Sequence, residues 1–131
     1  MVFVDTGPLY ALVVPADINH PRAMAWHDSN AERLITTDYV IDELLTLLRR
    51  RGHTLASLAA GRRLFCGELA GIEWVTPEDA HRAWAVFRDF SDKRWSFTDC
   101  VSRVVMERLE IQTAFSFDEH FRQFGTVAVV P

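Results

Sequence analysis

Four carboxylates stand out by where they fall: Asp5, Glu43, Asp99 and Asp118. Asp5 closes the apolar run Val2-Phe3-Val4 and is followed by Thr6, Gly7 and Pro8. Asp118 follows the stretch TAFSF, Asp99 comes directly after Thr98 at the start of a helical segment, and Glu43 borders the apolar and polar faces of DYVIDELLTLLRR. Gathered in one crevice these groups repel. Two carboxylates ~5 Å apart cost about 3 kcal/mol at an effective dielectric near 20. They then raise one another's pKa or need a cation. A hard divalent ion answers that need: Mg²⁺ takes oxygen ligands and Mn²⁺ accepts the same ones. Such ions promote attack of water on a phosphodiester by polarising its oxygen, lowering the pKa of water and stabilising the leaving oxygen.

Taken singly, each acid has a purely structural role open to it. Asp99 suits a helix N-terminus through the dipole, Asp118 and Asp5 can cap helices, and Glu43 can face solvent. The joint pattern is harder to dismiss, because two acids follow strand ends and a third begins a helix.

The elements that must position these residues follow from the patterning. Five short apolar runs read as strands: Val2–Val4, Leu34–Thr36, Ile72–Val75, Thr113–Ser116 and Thr126–Val130. Segments of helical period lie between them. Pro8 and Pro21 suit first helical turns. Thr37 can cap DYVIDELLTLLRRRG, with Gly52 as its stop, and Thr54 can cap LASLAAGRRLFCGEL. Thr76-Pro77-Glu78-Asp79 combines a cap, a proline and first-turn acids, and opens a helix whose apolar stripe is Ala80, Trp84, Phe87 and Phe90. Thr98 can cap DCVSRVVMERLE, with Val101, Val104, Val105 and Leu109 facing inward. Strands alternating with helices favour a parallel sheet covered on both faces. In such sheets the crevice lies beyond the carboxyl ends of the strands, which is where Asp5 stands.

The 131 residues fit one domain, spanning 1–131, and 49% hydrophobic content excludes a disordered chain. No apolar run approaches the ~18 residues of a membrane span, and no signal peptide precedes the first strand. Cys66 and Cys100 are far apart and read as reduced thiols of a cytoplasmic protein, Cys100 as a small packing residue. The net charge of −4 advertises no nucleic acid globally. Arg49, Arg50 and Arg51 can end a helix or form a local phosphate-binding patch. Lys93, the only lysine, and Arg94 approach the acidic edge and can meet an RNA phosphate. Trp95 can stack on a base, though a core anchor is the favoured role. No two of the five histidines have zinc-ligand spacing. His120, two residues after Asp118, is read mainly as a surface or half-buried side chain.

The strings FVDTGPLYAL, TTDYVIDELLTLL, SFTDCVS and AFSFDEHF, in that order across essentially the whole chain, resemble the PIN-domain nucleases, and among them the small toxins of bacterial VapBC toxin–antitoxin systems. The resemblance implies a three-layer α/β/α domain with a five-stranded parallel sheet and Mg²⁺- or Mn²⁺-dependent cleavage of single-stranded RNA. It matches the family's acids to Asp5, Glu43, Asp99 and Asp118, and its hydroxyl positions to Thr6 and Thr98. On these matches Asp5 and Asp99 hold the principal ion, Glu43 ligates it or orients water, and Asp118 completes the shell. Thr6 and Thr98 support metal waters or carboxylates, or serve as helix caps. The resemblance also implies a cognate antitoxin and a homodimer. Alternatives are a PIN-fold nuclease of RNA processing and a non-catalytic RNA- or protein-binding module. An aspartyl phosphatase would want a second acid in Asp5-Thr6-Gly7, and a receiver domain a lysine placed otherwise than Lys93.

Overall fold

The computed structural model describes residues 1–131. Five parallel strands, β1 (Val2–Val4), β2 (Leu34–Thr37), β3 (Gly71–Glu73), β4 (Thr113–Phe115) and β5 (Ala128–Val130), form one sheet in the order β3-β2-β1-β4-β5. The helices are α1 (Thr6–Val13), α2 (His20–Ser29), α3 (Asp38–Arg50), α4 (Thr54–Phe65), α5 (Pro77–Asp89), α6 (Phe97–Arg108) and α7 (Glu119–Gln123). Every residue of β1 and β2 is buried, so helices must cover both faces of the sheet centre. The expected three-layer α/β fold is therefore found.

The strand order fixes the site. From β1 the chain steps outward to β2 and β3, then returns to the other side of β1 for β4 and β5. The connections leaving β1 and β4 thus part in opposite directions, opening a crevice at their carboxyl ends. Phe3 pairs with Ala114 and Val4 with Phe115, and the Asp5 N–H donates to the Phe115 carbonyl at 3.0 Å. The first residues after both strands therefore sit side by side. Phe3, Val4, Phe115 and Phe121, all fully buried, weld this end of the sheet to the helices.

Several local expectations hold. Thr37 caps α3, accepting from the Val40 N–H at 3.2 Å, and Gly52 takes φ +81 just after the helix, a conformation costly for any side chain. Thr76 and Asp79 form a capping box at α5. Others change. Ser96, not Thr98, caps α6, and Thr98 lies inside its first turn. Thr54 begins α4 rather than capping it, and His53 takes the cap position with no side-chain bond. Strand β3 ends at Glu73 because the chain turns aside, where the Val75 N–H donates to Asp38 Oδ1 at 2.8 Å.

The expected inward stripe of α5 is also corrected. Trp84, Phe87 and Phe90 are exposed at 55%, 42% and 37%, whereas Asp79 and Ala83 are buried. The helix packs on α6 through its small side, and a small residue at the contact lets the two backbones approach closely. The large aromatics are left outside. Asp79, exposed by only 1%, is gripped by the two-pronged Arg108 guanidinium at 2.9 and 2.8 Å, and Arg108 also reaches Glu73 at 2.8 Å. Burial works against the Asp79 charge, but the Arg108 fork and the Thr76 N–H outweigh it and hold the carboxyl below its ordinary pKa.

Candidate active site

All four acids line one open cleft of about 1010 Å³ at the carboxyl ends of β1 and β4, together with Thr6, Lys93, Arg94, Ser96 and His120. Asp5 occupies the N-cap position of α1 in extended conformation but makes no capping bond. Its carboxylate turns instead to Ser116, whose hydroxyl donates to Oδ2 at 3.0 Å. The residue is 7% exposed. Burial, chiefly, pushes its pKa up from 3.8 to about 7. Asp99 and Glu43 add to the rise, which the Thr6 N–H and the Ser116 hydroxyl offset in part.

Asp99 is the third residue of α6, and its role is double. Its N–H is capped by Ser96 Oγ at 3.0 Å while its Oδ2 accepts from the Ser96 N–H at 2.9 Å. The capping box that starts the helix thus also locks the orientation of a cleft carboxylate, which is itself only 7% exposed. Asp118 caps α7, accepting from the His120 N–H at 2.9 Å, as its position after a strand predicts. Glu43 projects from the exposed side of α3, whose buried Val40, Ile41, Leu44 and Leu48 fix the helix against the core.

Two further side chains contribute, of which only His120 was within the reach of sequence reasoning. Ser116 joins Asp5 to the Asp118 backbone N–H, from which its oxygen accepts at 3.0 Å. Only its place at the end of a strand beside the first strand's aspartate could have marked it. His120 is half-buried, within the range expected for it, and reaches the acids. Its Nδ1 lies 2.9 Å from Asp99 Oδ2 and 3.4 Å from Asp118 Oδ1. The clue lay in the D-x-H spacing: a side chain two residues past a cap folds back over it.

The other candidates separate. Ser96 lines the cleft and Thr98 does not. Thr6 does line it, and its Oγ1 is buried without a hydrogen-bond partner. Lys93 and Arg94 stand at the cleft, but Arg49 and Arg50 line a separate groove with Leu45, Ser57 and Arg62. Trp95 is buried and donates its indole N–H to Gln123 at 2.9 Å, so it anchors the loop and offers no face to a base. Cys100 is fully buried, and burial, with Asp99 adding, pushes its thiol up to about 11, which leaves it a packing residue.

The donor set suits a hard divalent cation. It is rich in carboxylate oxygens, holds one carboxyl that burial disfavours as an anion, and includes an orphaned hydroxyl beside that carboxyl.

Comparison with known proteins follows this geometry closely. A family model described as PIN domain matches residues 2–127. The chain is 36% identical to the 23S rRNA-specific endonuclease VapC20 of Mycobacterium tuberculosis over 132 residues, covering 100% of this chain and 99% of the relative. It is 30% identical to ribonuclease VapC26 of the same organism, covering 99% and 100%. The crystal structure of Mycobacterium tuberculosis VapC20, described as a sarcin–ricin loop cleaving toxin, superposes with a TM-score of 0.92 at 31% identity, covering all of both chains. FitAcB from Neisseria gonorrhoeae, at 17% identity and a TM-score of 0.73 over 100% and 97% of the two chains, shares the fold.

Proposed function

The chain belongs to the PIN-domain family, and from that membership we propose that it is a metal-dependent endoribonuclease, the toxin of a type II toxin–antitoxin pair. The observation that carries the reading is the convergence of Asp5, Glu43, Asp99 and Asp118 on one cleft, with Asp5 pushed to about 7 chiefly by burial, a penalty on its charge that a bound cation would relieve. The full-length likeness to a 23S rRNA-specific endonuclease favours a ribosomal RNA loop as substrate.

Asp5 and Asp99 would hold the cation, Mg²⁺ or Mn²⁺, with Asp118 completing its shell. When bound, a divalent cation polarises the scissile phosphoryl oxygen, lowers the pKa of water and stabilises the leaving oxygen. Glu43, on a rigid helix at the cleft wall, orients the attacking water and accepts its proton. Thr6 supplies a hydroxyl that the fold leaves unpartnered. Ser116 and Ser96 fix the carboxylates of Asp5 and Asp99 so that little reorganisation is needed on binding. Lys93 and Arg94 meet the RNA backbone and hold the strand in register. The cleft needs no basic protein around it, because positive charge is required only where the phosphate sits.

A toxin of this kind works beside a cognate antitoxin that covers the cleft, and in the cytoplasm where its RNA lies. No helix is long and apolar enough to cross a membrane. Pairing of two copies is supported by the apolar surface left outside the core, where Trp84 stacks on Phe87 at 6.1 Å and Phe65 lies against Trp74 at 6.3 Å.

The deciding experiment incubates purified protein with ribosomal and messenger RNA, with and without Mg²⁺, and maps cut sites. Cleavage that needs the ion and disappears in Asp5→Asn and Asp99→Asn is the expected result. Equal cutting by parent and variants, or equal cutting in chelator, would overturn the assignment.

A further inference from the structure

His120 lies over the two carboxylates that close the cleft between α6 and α7. Three ligand-type atoms converge there: Nδ1 of His120, Oδ2 of Asp99 and Oδ1 of Asp118, with edges of 2.9 Å and 3.4 Å from the nitrogen and all within 4.8 Å of one another. Two neighbouring ligands of an octahedral ion at ~2.1 Å stand ~3.0 Å apart, so the nitrogen edges are those of a coordination shell. Both oxygens are fixed by backbone N–H groups, of Ser96 and of His120, as ligating carboxylates are in metal centres. Thr6, another residue of the same cleft, is 5% exposed, and its Oγ1 has no hydrogen-bond partner.

We propose that Asp99, Asp118 and His120 form a mixed nitrogen–oxygen cation site in which His120 Nδ1 is itself a ligand, giving the cleft a preference for Mn²⁺ over Mg²⁺. The inference rests on the metal-dependent reading above. Mg²⁺ seeks oxygen and surrenders its waters reluctantly, so an imidazole adds little to its binding. Divalent transition ions accept imidazole nitrogen beside carboxylate oxygen, and among them Mn²⁺ shares with Mg²⁺ the preference for carboxylate and water ligands. The ligating tautomer carries its proton on Nε2, leaving the Nδ1 lone pair directed between the two carboxylates. The bland account of the same distances is an N–H···O hydrogen bond from Nδ1, with no ion touching the ring.

Electron spin-echo spectroscopy of Mn²⁺ added to the full chain separates the two. The expected result is ¹⁴N modulation in the parent that vanishes in His120→Asn and His120→Gln, together with at least about tenfold weaker Mn²⁺ binding by calorimetry and little change for Mg²⁺. Circular dichroism checks that the variants fold, and the spectroscopic signature in the parent stands whether they do or not. Mn²⁺ bound without nitrogen coupling overturns the His120 assignment and leaves the metal-dependent nuclease reading standing. No uptake of either ion overturns both.

Discussion

The hydroxyl of Ser116 donates to Asp5 Oδ2 at 3.0 Å across 111 residues of sequence. This bond favours the charged form of a carboxyl that burial otherwise drives toward neutrality. Ser116→Ala removes it and also leaves the Asp118 N–H without its acceptor, at a stability cost of about 1–3 kcal/mol. Asp5 must be ionised to bind a cation, so the acidic limb of the pH–rate profile moves to higher pH in the variant. A limb that stays put would show that Ser116 does not act through Asp5.

Asp5 makes the metal-free protein sensitive to pH in a definite direction. Its folded pKa of about 7 lies above the 3.8 of the ordinary group, so between those values the folded state binds more protons than the unfolded one. Stability in chelator therefore falls as pH rises from about 4 to 7, by up to ~4 kcal/mol, and levels off above. Asp5→Asn abolishes this component. The variant is expected to be more stable than the parent in EDTA at pH 8, although inactive, and urea melts of both across pH measure the difference. Mg²⁺ or Mn²⁺ should restore the parent and leave the variant unmoved.

Far from the cleft, the Asp79–Arg108 pair ties the start of α5 to the end of α6. Asp79→Ala leaves the Arg108 guanidinium with Glu73 alone and breaks the capping box, so a loss of about 1–3 kcal/mol is expected in denaturant unfolding. The depressed pKa of Asp79 means that its contribution is present above about pH 4 and is lost as the carboxyl protonates below it. Activity per folded molecule should be unchanged. A variant as stable as the parent would show the pair to be decorative.

The exposed aromatics of α5 bear on assembly. Trp84→Ser with Phe87→Ser replaces a stacked pair that is largely in solvent. Sedimentation should find the parent as a dimer and the double variant as a monomer at the same concentration, with Mn²⁺ uptake unaltered. Identical sedimentation of the two proteins would remove this surface from the interface.

Much of the architecture was legible because its signals are local. Apolar runs bounded by Asp5, Asp118 and the prolines marked the strands, and Thr37 and Thr76 announced helices through cap chemistry that acts within four residues. Asp5 and Asp118 could be named because strand ends in a parallel sheet face one crevice, Asp99 because it opens a helix, and Glu43 chiefly through the family resemblance. What escaped depends on contacts between distant segments. Whether Trp84 or Ala83 faces α6 is decided by how closely two helices approach, and periodicity on one helix does not contain that distance. Thr98 and Ser96 both sit in cap-competent places, and only the bond from Asp99 back to Ser96 separates them. Ser116 and His120 are ordinary residues in isolation, and they acquire roles because β1 and β4 are neighbours and α7 folds over the sheet end.

That β1 and β4 are neighbours has a consequence for biosynthesis. The central strand is made first but waits for one of its two flanking partners until nearly all of the protein has been synthesised. A nascent or prematurely terminated chain lacks Ser116, Asp118 and the wall they build, and a pairing of such long sequence separation forms slowly. A fragment that ends before Ser116 therefore carries an incomplete cleft, and the acidic site is assembled only when translation is almost over.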